Sequence, residues 1–402
     1  MTEQTTKRPV WMTKNLVTLS WVSLLQDAAS EMLYPILPIF LNTVLGAPAA
    51  VVGAIEGAAE ATAAATKLAS RWLNRFMPRK VMVFLGYSGA ALGKVIIALA
   101  GFWPVVLLGR IVDRLGKGLR SAPRDALLVQ GVDAKNRGRV IGFHRSADTL
   151  GAVIGPLLAL ALLAIFDNNL RPVLWFAVAP GIISAVLVLL VKDDQPRQRS
   201  EKVAKPIVVA AAKTTSIVSS LSKVSRLNLA IALIVGFGLV NFSDALVLLH
   251  LSQEGFSLQW VIGSYLLFNI SYALLSFPAG MLSDRMAPHR VFALGMLAFA
   301  IAYGGLALTS DKIWTLVLVV IYGAFAAVND TVGKSWVSKL APDDRQLWAQ
   351  SRLQGLSGFA ILISGIWAGL TWNLGSGFGT FPLAISAALA LVFAGVLATR
   401  KF

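Results

Sequence analysis

Apolar residues recur along this chain in runs of about 20 residues or more, separated by short polar segments. Helices that cross a lipid bilayer need runs of about that length, because each residue adds about 1.5 Å. Twelve such runs predict twelve transmembrane helices, at residues 16–41, 49–72, 81–102, 105–128, 140–166, 173–191, 228–250, 259–282, 290–309, 313–338, 346–373 and 378–399.

The composition agrees with this pattern. Hydrophobic residues make up 56% of the 402 residues and charged residues 14%, whereas soluble domains carry about 25% charged residues. We therefore expect an all-α membrane protein with two six-helix bundles, at 1–191 and 228–402, joined by a polar, basic cytoplasmic linker at 192–227. The second part of the linker is mildly amphipathic, which is typical of a helix that lies on the membrane surface.

The net charge of +16 raises the question of a nucleic-acid partner. Lysine and arginine concentrate in alternate loops, in the linker and at both termini, whereas the opposite loops hold little beyond Arg171 and Lys312. Because cytoplasmic loops carry such an excess, we expect both termini in the cytoplasm, a location in the cytoplasmic (inner) membrane and no nucleic-acid partner. The basic loop residues are Arg71, Arg75, Arg79, Lys80, Lys135, Arg137, Arg139, Arg285, Arg290 and Arg345.

Residues for metal or cofactor chemistry are sparse. The chain has no cysteine, which excludes disulfides and thiolate metal sites. Its three histidines, His144, His250 and His289, lie far apart, and no nucleotide-binding loop is visible. The sequence therefore predicts no metal site and no cofactor, and it disfavours a membrane-embedded enzyme or sensor. We expect a monomer in the lipid bilayer.

The two halves of the chain resemble each other. Residues 51–80 align with residues 261–290 at a shift of 210 positions, and a shift of 207 brings Gly116 onto Gly323. Because six predicted helices separate the copies, both copies enter the membrane from the same side. A parallel repeat of this kind, with a site near the middle of the membrane, is an architecture of secondary transporters.

One motif recurs in this repeat. After the eighth span it reads GMLSDR, at Gly280–Arg285, and after the second span the same positions hold SRWLNR, at Ser70–Arg75. Together with a fourth-span pattern that begins at Arg110, these segments resemble the motifs of the major facilitator superfamily. The resemblance covers the whole chain. It implies a transporter in which the first, fourth, seventh and tenth helices line a central cavity.

The fifth span contains Gly151, Gly155 and Pro156 in the order G-x-x-x-G-P. This resembles a signature of the proton-driven antiporters of that family, although the glycine pair that usually ends it is Ala159-Leu160 here. The resemblance implies proton antiport. The alternative is that the glycines allow close helix packing and the proline bends the helix.

The fourth span carries a stripe of six charged side chains. At about 100° per residue they fall within an arc of about 120°, opposite Leu108 and Leu115. A charge that faces lipid at the bilayer centre costs about 2.5–3.5 kcal/mol on insertion scales, so we expect the stripe to face the protein interior. It consists of Arg110, Asp113, Arg114, Lys117, Arg120 and Arg124.

Acidic residues that could balance this stripe occur in pairs. Asp27 and Glu31 lie four residues apart on the first span, as do Glu56 and Glu60 on the second, so each pair shares a helix face. Intramembrane ionisable groups are functional by default, and carboxylates beside cations can exchange a proton for a substrate contact. The alternative is that these charges are buried ion pairs that hold the helices in register. The second-half candidates are Asp244, Asn329 and Asp330.

Charges at the cytoplasmic ends of the spans predict an inner gate, made when the cavity faces outward and broken when it opens inward. The alternative is that these charges only anchor the loops. The gate residues are Arg120, Arg124, Asp125, Arg145 and Asp148, with Asn74, Arg75, Asp284 and Arg285 of the paired loops.

These features predict a secondary transporter that works by alternating access and is not an enzyme. Proton-coupled efflux of a small molecule is favoured by the fifth-span signature. Proton-coupled uptake of a small organic anion is the alternative, favoured by the cationic stripe. The 37 aromatic residues (11 Trp, 6 Tyr and 20 Phe) are expected mostly at the membrane interface and against lipid.

Overall fold

The computed structural model describes residues 12–74, 76–128, 130, 132, 137–193, 214–341, 346–375 and 377–399. Within these residues the chain forms helices and turns and no β-strand, which confirms the all-α fold. Each predicted apolar run overlaps at least one helix. Eight helices of the described residues are long and apolar enough to cross a membrane.

The helices follow one another along the chain, with the longest interval between Leu187 and Thr214. They are α1 (Lys14–Leu33), α2 (Leu37–Ile39), α3 (Ala49–Leu73), α4 (Arg79–Leu99), α5 (Trp103–Leu128), α6 (Arg137–Ile165), α7 (Leu170–Leu187), α8 (Thr214–Gly238), α9 (Asp244–Gln253), α10 (Leu258–Arg285), α11 (Pro288–Leu308), α12 (Lys312–Leu340), α13 (Gln346–Leu370) and α14 (Thr380–Thr399).

Contacts divide the chain into two compact units. The first unit comprises residues 1–33, 65–100 and 104–199, and the second comprises residues 34–64, 101–103 and 200–402. The division into bundles at 1–191 and 228–402 with a linker at 192–227 stays a prediction. Helix α8 begins at Thr214, inside the predicted linker, and residues 194–213 lie outside the described residues.

Large apolar side chains face outward on many helices. Leu308 is 88% exposed, and Leu370 and Ile313 are each 72% exposed. A water-soluble surface rarely presents so much contiguous apolar area. Lipid chains would cover these side chains in a bilayer, as the composition requires.

The first predicted span is interrupted at residues 34–36, between α1 and α2. Proline has no backbone N–H, so Pro35 and Pro38 cannot donate to the carbonyls of Glu31 and Tyr34 one turn earlier. The chain continues from Phe40 to Val44 as a π-helical turn. Proline therefore marks this interruption in the sequence.

The seventh predicted span is also interrupted, which the apolar run at 228–250 did not predict. Helix α8 ends at Gly238, and α9 begins at Asp244 with the Ser243 hydroxyl accepting from the Ala245 amide. Backbone groups freed at membrane depth need partners from the protein. Four carbonyls in a row accept such bonds: Leu239 from Trp367 Nε1 (2.8 Å), Val240 from Ser386 (2.9 Å), Asn241 from Ser364 (3.2 Å) and Phe242 from Tyr303 (3.4 Å).

The two interruptions occupy equivalent places in the repeat. Helix α2 begins at Leu37 and α9 at Asp244, which are related by the shift of 207 found in the sequence. Neighbouring helices recur in the same way, since α4 packs on α7 as α11 packs on α14. The repeat therefore extends to the broken helices, which are the feature that most often marks a binding site in transporters.

Each unit has its own core. In the second unit, the buried ring of Phe237 contacts the rings of Phe292, Phe299 and Phe325 at centroid distances of 5.1 to 6.5 Å. In the first unit, Tyr87 is fully buried among aliphatic side chains of α1, α4 and α5. The polar groups described next lie against these cores.

Candidate functional site

A cluster of buried charges lies in the first unit, centred on Asp113 of α5. Lys94 of α4 donates to Asp113 Oδ1 over 3.2 Å. The guanidinium groups of Arg110 and Arg114 lie 4.0 Å from Asp113 Oδ2. These side chains are all less than 10% exposed. The stripe predicted on the fourth span is therefore buried here, as expected from the cost of facing lipid.

Lys94 is the member of this cluster that the sequence analysis missed. It reaches Asp113 because α4 and α5 touch at Gly93: a Cβ there would lie 2.6 Å from the Gly109 carbonyl oxygen and 2.7 Å from the Asp113 nitrogen. Only glycine permits that approach. A lone lysine in the middle of an apolar span was the available signal.

Arg120 continues the stripe one turn further along. Its guanidinium carbon lies 4.3 Å above the ring of Tyr87, a cation–π geometry. Its Nη1 is buried and has no hydrogen-bond partner among the described residues. Arg120 is therefore a buried cation that is stabilised by a cation–π contact with Tyr87. The described part of the chain shows no ion pair to it.

A second polar group joins α1, α4, α5 and α6. Ser23 of α1 lies 3.0 Å from the Tyr87 hydroxyl and 3.3 Å from His144 Nε2, and it accepts from Arg124 Nη1 over 3.1 Å. The same His144 nitrogen lies 3.6 Å from Asp148 Oδ1. We call Ser23, Tyr87, Arg124, His144 and Asp148 the seam network. Sequence analysis identified only Arg124 and Asp148 of it.

Asp27 lies next to this network. Its strongest charged neighbours are Arg120, Lys117 and Arg124 of α5, so the structure brings the first-span acid and the fourth-span stripe together as predicted from their polarity. Asp27 also acts electrostatically on Asp148. Four charged side chains from two other helices, α5 and α6, thus influence one carboxyl group.

The glycines of the fifth-span signature pack against the helix that carries the acids. A Cβ at Gly151 would lie 2.5 Å from the Leu24 carbonyl oxygen and 3.1 Å from Asp27 Cβ. One turn later, a Cβ at Gly155 would lie 2.9 Å from Glu31 Cβ. Pro156 is buried within α6. These contacts support the interpretation that the glycines allow α6 to pack closely on α1.

The remaining predicted gate residues are spread over the surface of the first unit and the end of α10. Arg124 pairs with Asp125 over 3.0 Å. Asn74, Asp125, Arg145 and Arg285 are exposed. Lys117, which was predicted with the stripe to face the interior, is exposed as well. Arg75 and the side chain of Asp284 lie outside the described residues.

The second unit contains a cavity of about 330 Å³ beside both helix interruptions. Residues from the interruptions form part of its wall, among them Tyr34, Asn241 and Asp244. Seven aromatic side chains line it: Tyr34, Phe242, Tyr265, Phe268, Tyr272, Tyr322 and Phe325. The assignment of most aromatics to lipid and interface contacts missed this wall, although Tyr265, Phe268 and Tyr272 share one helix face at the i, i+3 and i+7 spacing.

Three carboxylates also line this cavity: Glu60, Asp244 and Asp330. Tyr322 donates a hydrogen bond to Asp244, and Tyr272 donates to Asp330 over 3.0 Å. Asp330 also pairs with Lys334, one turn along α12. Asn329 lies in the wall, and Glu56 is buried one turn before Glu60. The structure thus groups Glu56 and Glu60 with Asp244 in the second unit.

A hydrogen-bond chain ties the α9 interruption to α11 and α12. Tyr303 donates to the Phe242 carbonyl over 3.4 Å and lies 3.4 Å from the Tyr322 hydroxyl, which in turn donates to Asp244. Both tyrosines are buried. The position of the Asp244 carboxyl group is therefore fixed by its own helix and by two others.

No group of three or more histidine, aspartate or glutamate side chains that could hold a metal ion is found in the described part of the chain. The chemistry that both sites offer is recognition and proton exchange by carboxylates, cations and aromatic rings. A cavity of this kind, near interrupted helices, suits a bound small molecule.

Comparisons with known proteins agree with the fold. The family model of the Major Facilitator Superfamily matches residues 19–270 and 250–401. The chain is 27% identical over 369 residues to an uncharacterized MFS-type transporter of Methanocaldococcus jannaschii, covering 90% of this chain and 89% of the relative. It is 32% identical over 110 residues to a triacylglyceride transporter of Mycolicibacterium smegmatis, covering 27% of this chain and 20% of the relative.

Among solved structures, the nucleoside transporter NupG superposes with a TM-score of 0.77 at 15% identity, covering 97% of this chain and 100% of that chain. At that identity the likeness concerns the fold. The family match covers nearly the whole sequence and agrees with the repeat, the motifs and the interrupted helices. This chain therefore belongs to the Major Facilitator Superfamily and is a multi-pass membrane transporter.

Proposed function

We propose that this transporter exports a small molecule across the cytoplasmic membrane in exchange for protons, by alternating access. One observation carries the proposal. The signature glycines Gly151 and Gly155 lie against Asp27 and Glu31, the two acids of α1. The motif of α6 that resembles an antiporter signature thus packs directly against α1, the helix that carries the two carboxyl groups.

Asp27 is the proton site in this proposal. As a carboxylate it attracts Arg120, Lys117 and Arg124 of α5; as a neutral acid it releases them. Since an opposite charge nearby favours the ionised form, movement of α5 relative to α1 changes the proton affinity of Asp27. Proton binding and helix movement are thereby linked.

The seam network is the candidate gate. Arg124 contacts Ser23, Asp125 and Asp148 through hydrogen bonds or charge, and each contact would be remade when α5, α1 and α6 shift. We assign Arg120, Arg145, Asn74, Arg75, Asp284 and Arg285 to the same gate on the sequence motifs. The substrate binds, in this proposal, in the aromatic cavity of the second unit.

Uptake of a small organic anion is the second candidate. The buried cluster around Asp113 favours it, because Lys94, Arg110 and Arg114 bring three cations together. The contact of Lys94 with Asp113 weakens this candidate, since it holds α4 to α5.

A thermal-shift screen of anionic metabolites and hydrophobic drugs on the purified protein would first identify a ligand, since a bound ligand raises the midpoint of unfolding. Transport of that ligand is then measured in proteoliposomes with and without an imposed proton gradient. We expect Asp27→Asn to keep ligand exchange but to lose its dependence on the gradient. Asp167→Asn is the matched control, because Asp167 is an exposed loop residue with φ of 48°, which asparagine tolerates.

Everted vesicles decide the direction. Accumulation of the ligand inside everted vesicles whose lumen is acidic indicates export in exchange for protons, whereas accumulation in right-side-out vesicles with an acidic exterior indicates uptake together with protons. Unchanged gradient dependence in Asp27→Asn would remove Asp27 from the mechanism.

A further inference from the structure

The aromatic cavity carries an excess of negative charge. Its described lining residues include three carboxylates, Glu60, Asp244 and Asp330, and no lysine or arginine. Lys334 pairs with Asp330 from one turn away. Asp244 and Glu60 are the other two carboxylates of the lining.

The surroundings of Asp244 reinforce this asymmetry. Its strongest charged neighbours are Glu60 and Glu56, which are both acids. Its hydrogen bond from Tyr322 supplies a dipole and no charge. Like charges brought together in a poorly solvated site are costly, and a cation between Asp244 and Glu60 would relieve that cost.

The wall beside these acids is a set of stacked rings. Phe268 lies at the centre, with ring centroids 6.0 Å from Tyr265, 5.1 Å from Tyr322 and 6.4 Å from Tyr272, at interplanar angles of 12° to 27°. These four rings all line the cavity, so together they form one aromatic surface toward a ligand. Aromatic surfaces bind a second aromatic ring, or a cation within about 6 Å of a ring centroid.

An acceptor without a donor lies in the same wall. Oδ1 of Asn241 is buried and has no hydrogen-bond partner among the described residues. A buried acceptor left without a donor is destabilising. The cavity thus presents carboxylates, ring faces and an unused carbonyl oxygen, all of which favour a ligand that donates hydrogen bonds and carries positive charge.

We propose that this cavity selects aromatic organic cations, with the charged nitrogen between Asp244 and Glu60 and the ring on the face of Phe268. This inference names the substrate class and rests on the proposed function only in taking the cavity as the transport site. An anionic substrate does not fit this lining.

Three probes of nearly equal shape test the charge preference: 1-naphthylmethylammonium, 1-naphthylmethanol and 1-naphthoate. Their binding to the purified full-length protein is measured by isothermal titration calorimetry. We expect the ammonium to bind at least about tenfold more tightly than the alcohol, and the carboxylate to bind most weakly. Equal binding, preference for naphthoate, or binding of none of the three would overturn the proposal.

Variants place the binding in the cavity. Asp244→Asn should weaken ammonium binding about tenfold or more while leaving binding of the alcohol unchanged. Glu254→Gln is the matched control, because Glu254 caps the other end of α9 and contacts Ser310, outside the cavity lining. Equal loss in both variants, or loss of alcohol binding in Asp244→Asn, would contradict the assignment.

Proton movement keeps the two proposals separate. Proteoliposomes that contain a pH-sensitive dye receive the ammonium probe. Tight binding without proton movement would refute proton coupling and leave the substrate class standing. Proton movement driven by naphthoate instead would refute the substrate class and leave proton coupling standing.

Discussion

Lys94 donates a hydrogen bond to Asp113 over 3.2 Å, from the middle of one apolar helix to the middle of another, and both side chains are buried. Asp113 also faces Arg110 and Arg114. Asp113 therefore lies within 4.0 Å of three cations. The two members of the pair are not equivalent, which leads to the first prediction.

We expect Asp113→Asn to be more damaging than Lys94→Gln. Loss of the acid leaves three buried cations without it, whereas loss of Lys94 leaves Asp113 with two arginines. Breaking a buried ion pair costs about 3–5 kcal/mol, and Asp113→Asn should reach that range. Expression level and the midpoint of thermal unfolding measure the difference, and equal losses would show that Arg110 and Arg114 do not share Asp113.

The second prediction concerns the seam between α6 and α1. Gly155→Ala should lower stability by about 1–3 kcal/mol, because the added Cβ would lie 2.6 Å from the Ala28 carbonyl oxygen and 2.8 Å from the Met32 nitrogen, and backbone atoms cannot move aside. The control is Gly263→Ala, where nothing lies within 4 Å of the added Cβ. Thermal unfolding should change little in that control or rise slightly, since alanine favours a helix. A neutral Gly155→Ala would contradict the close packing.

The third prediction separates the two tyrosines of the hydrogen-bond chain. Tyr322→Phe removes the donor to Asp244, whereas Tyr303→Phe removes only contacts of 3.4 Å. We expect a loss of about 1–3 kcal/mol for Tyr322→Phe, the cost of an unsatisfied buried group, and a smaller loss for Tyr303→Phe. Urea unfolding measures the loss of stability in each variant. A larger loss in Tyr303→Phe than in Tyr322→Phe would make Tyr303 the main support of the interruption.

The fourth prediction tests orientation. Because the chain has no cysteine, single cysteines report accessibility without background. Asn74 and Gly101 are both exposed and flank opposite ends of α4. A membrane-impermeant maleimide added to intact cells should label Gly101→Cys and spare Asn74→Cys until the cells are opened. The opposite pattern would invert the topology.

The sequence predicted the elements well and the site in part, for physical reasons. Every span must be apolar where it faces lipid, so the apolar runs located the helices. A charge in lipid is costly, so Arg110, Asp113 and Arg114 were expected in the interior. Lys94 is a single polar residue whose partner Asp113 lies on another helix, so no spacing along the chain indicated it. His144 contacts Ser23 of α1 and also Asp148, four residues later on its own helix, and that local spacing was not used.

The interruption at 239–243 was missed for a similar reason. Its residues are apolar enough to continue a span, and the groups that satisfy its carbonyls, such as Trp367 and Ser386, come from α13 and α14. The interruption before α2 had a local signal in Pro35 and Pro38 that was not used. The aromatic wall was missed because aromatic residues are common at lipid interfaces as well.

The interrupted helices have a mechanical consequence. An unbroken helix resists bending along its whole length, whereas at 239–243 the carbonyl partners are side chains of α11, α13 and α14, which can exchange without breaking a helix. Helix α9, which begins at Asp244, can therefore tilt relative to α8 when those side chains shift. Gln253, at the end of α9, links that helix to the π-helical turn at Phe40–Val44, since its side chain donates to Asn42 over 3.2 Å. It also accepts from Trp372 over 2.7 Å. A molecule bound at Tyr34 and Asn241 would contact the chain at both interruptions. A small displacement at these positions would produce the largest movement at the far ends of the segments that follow them.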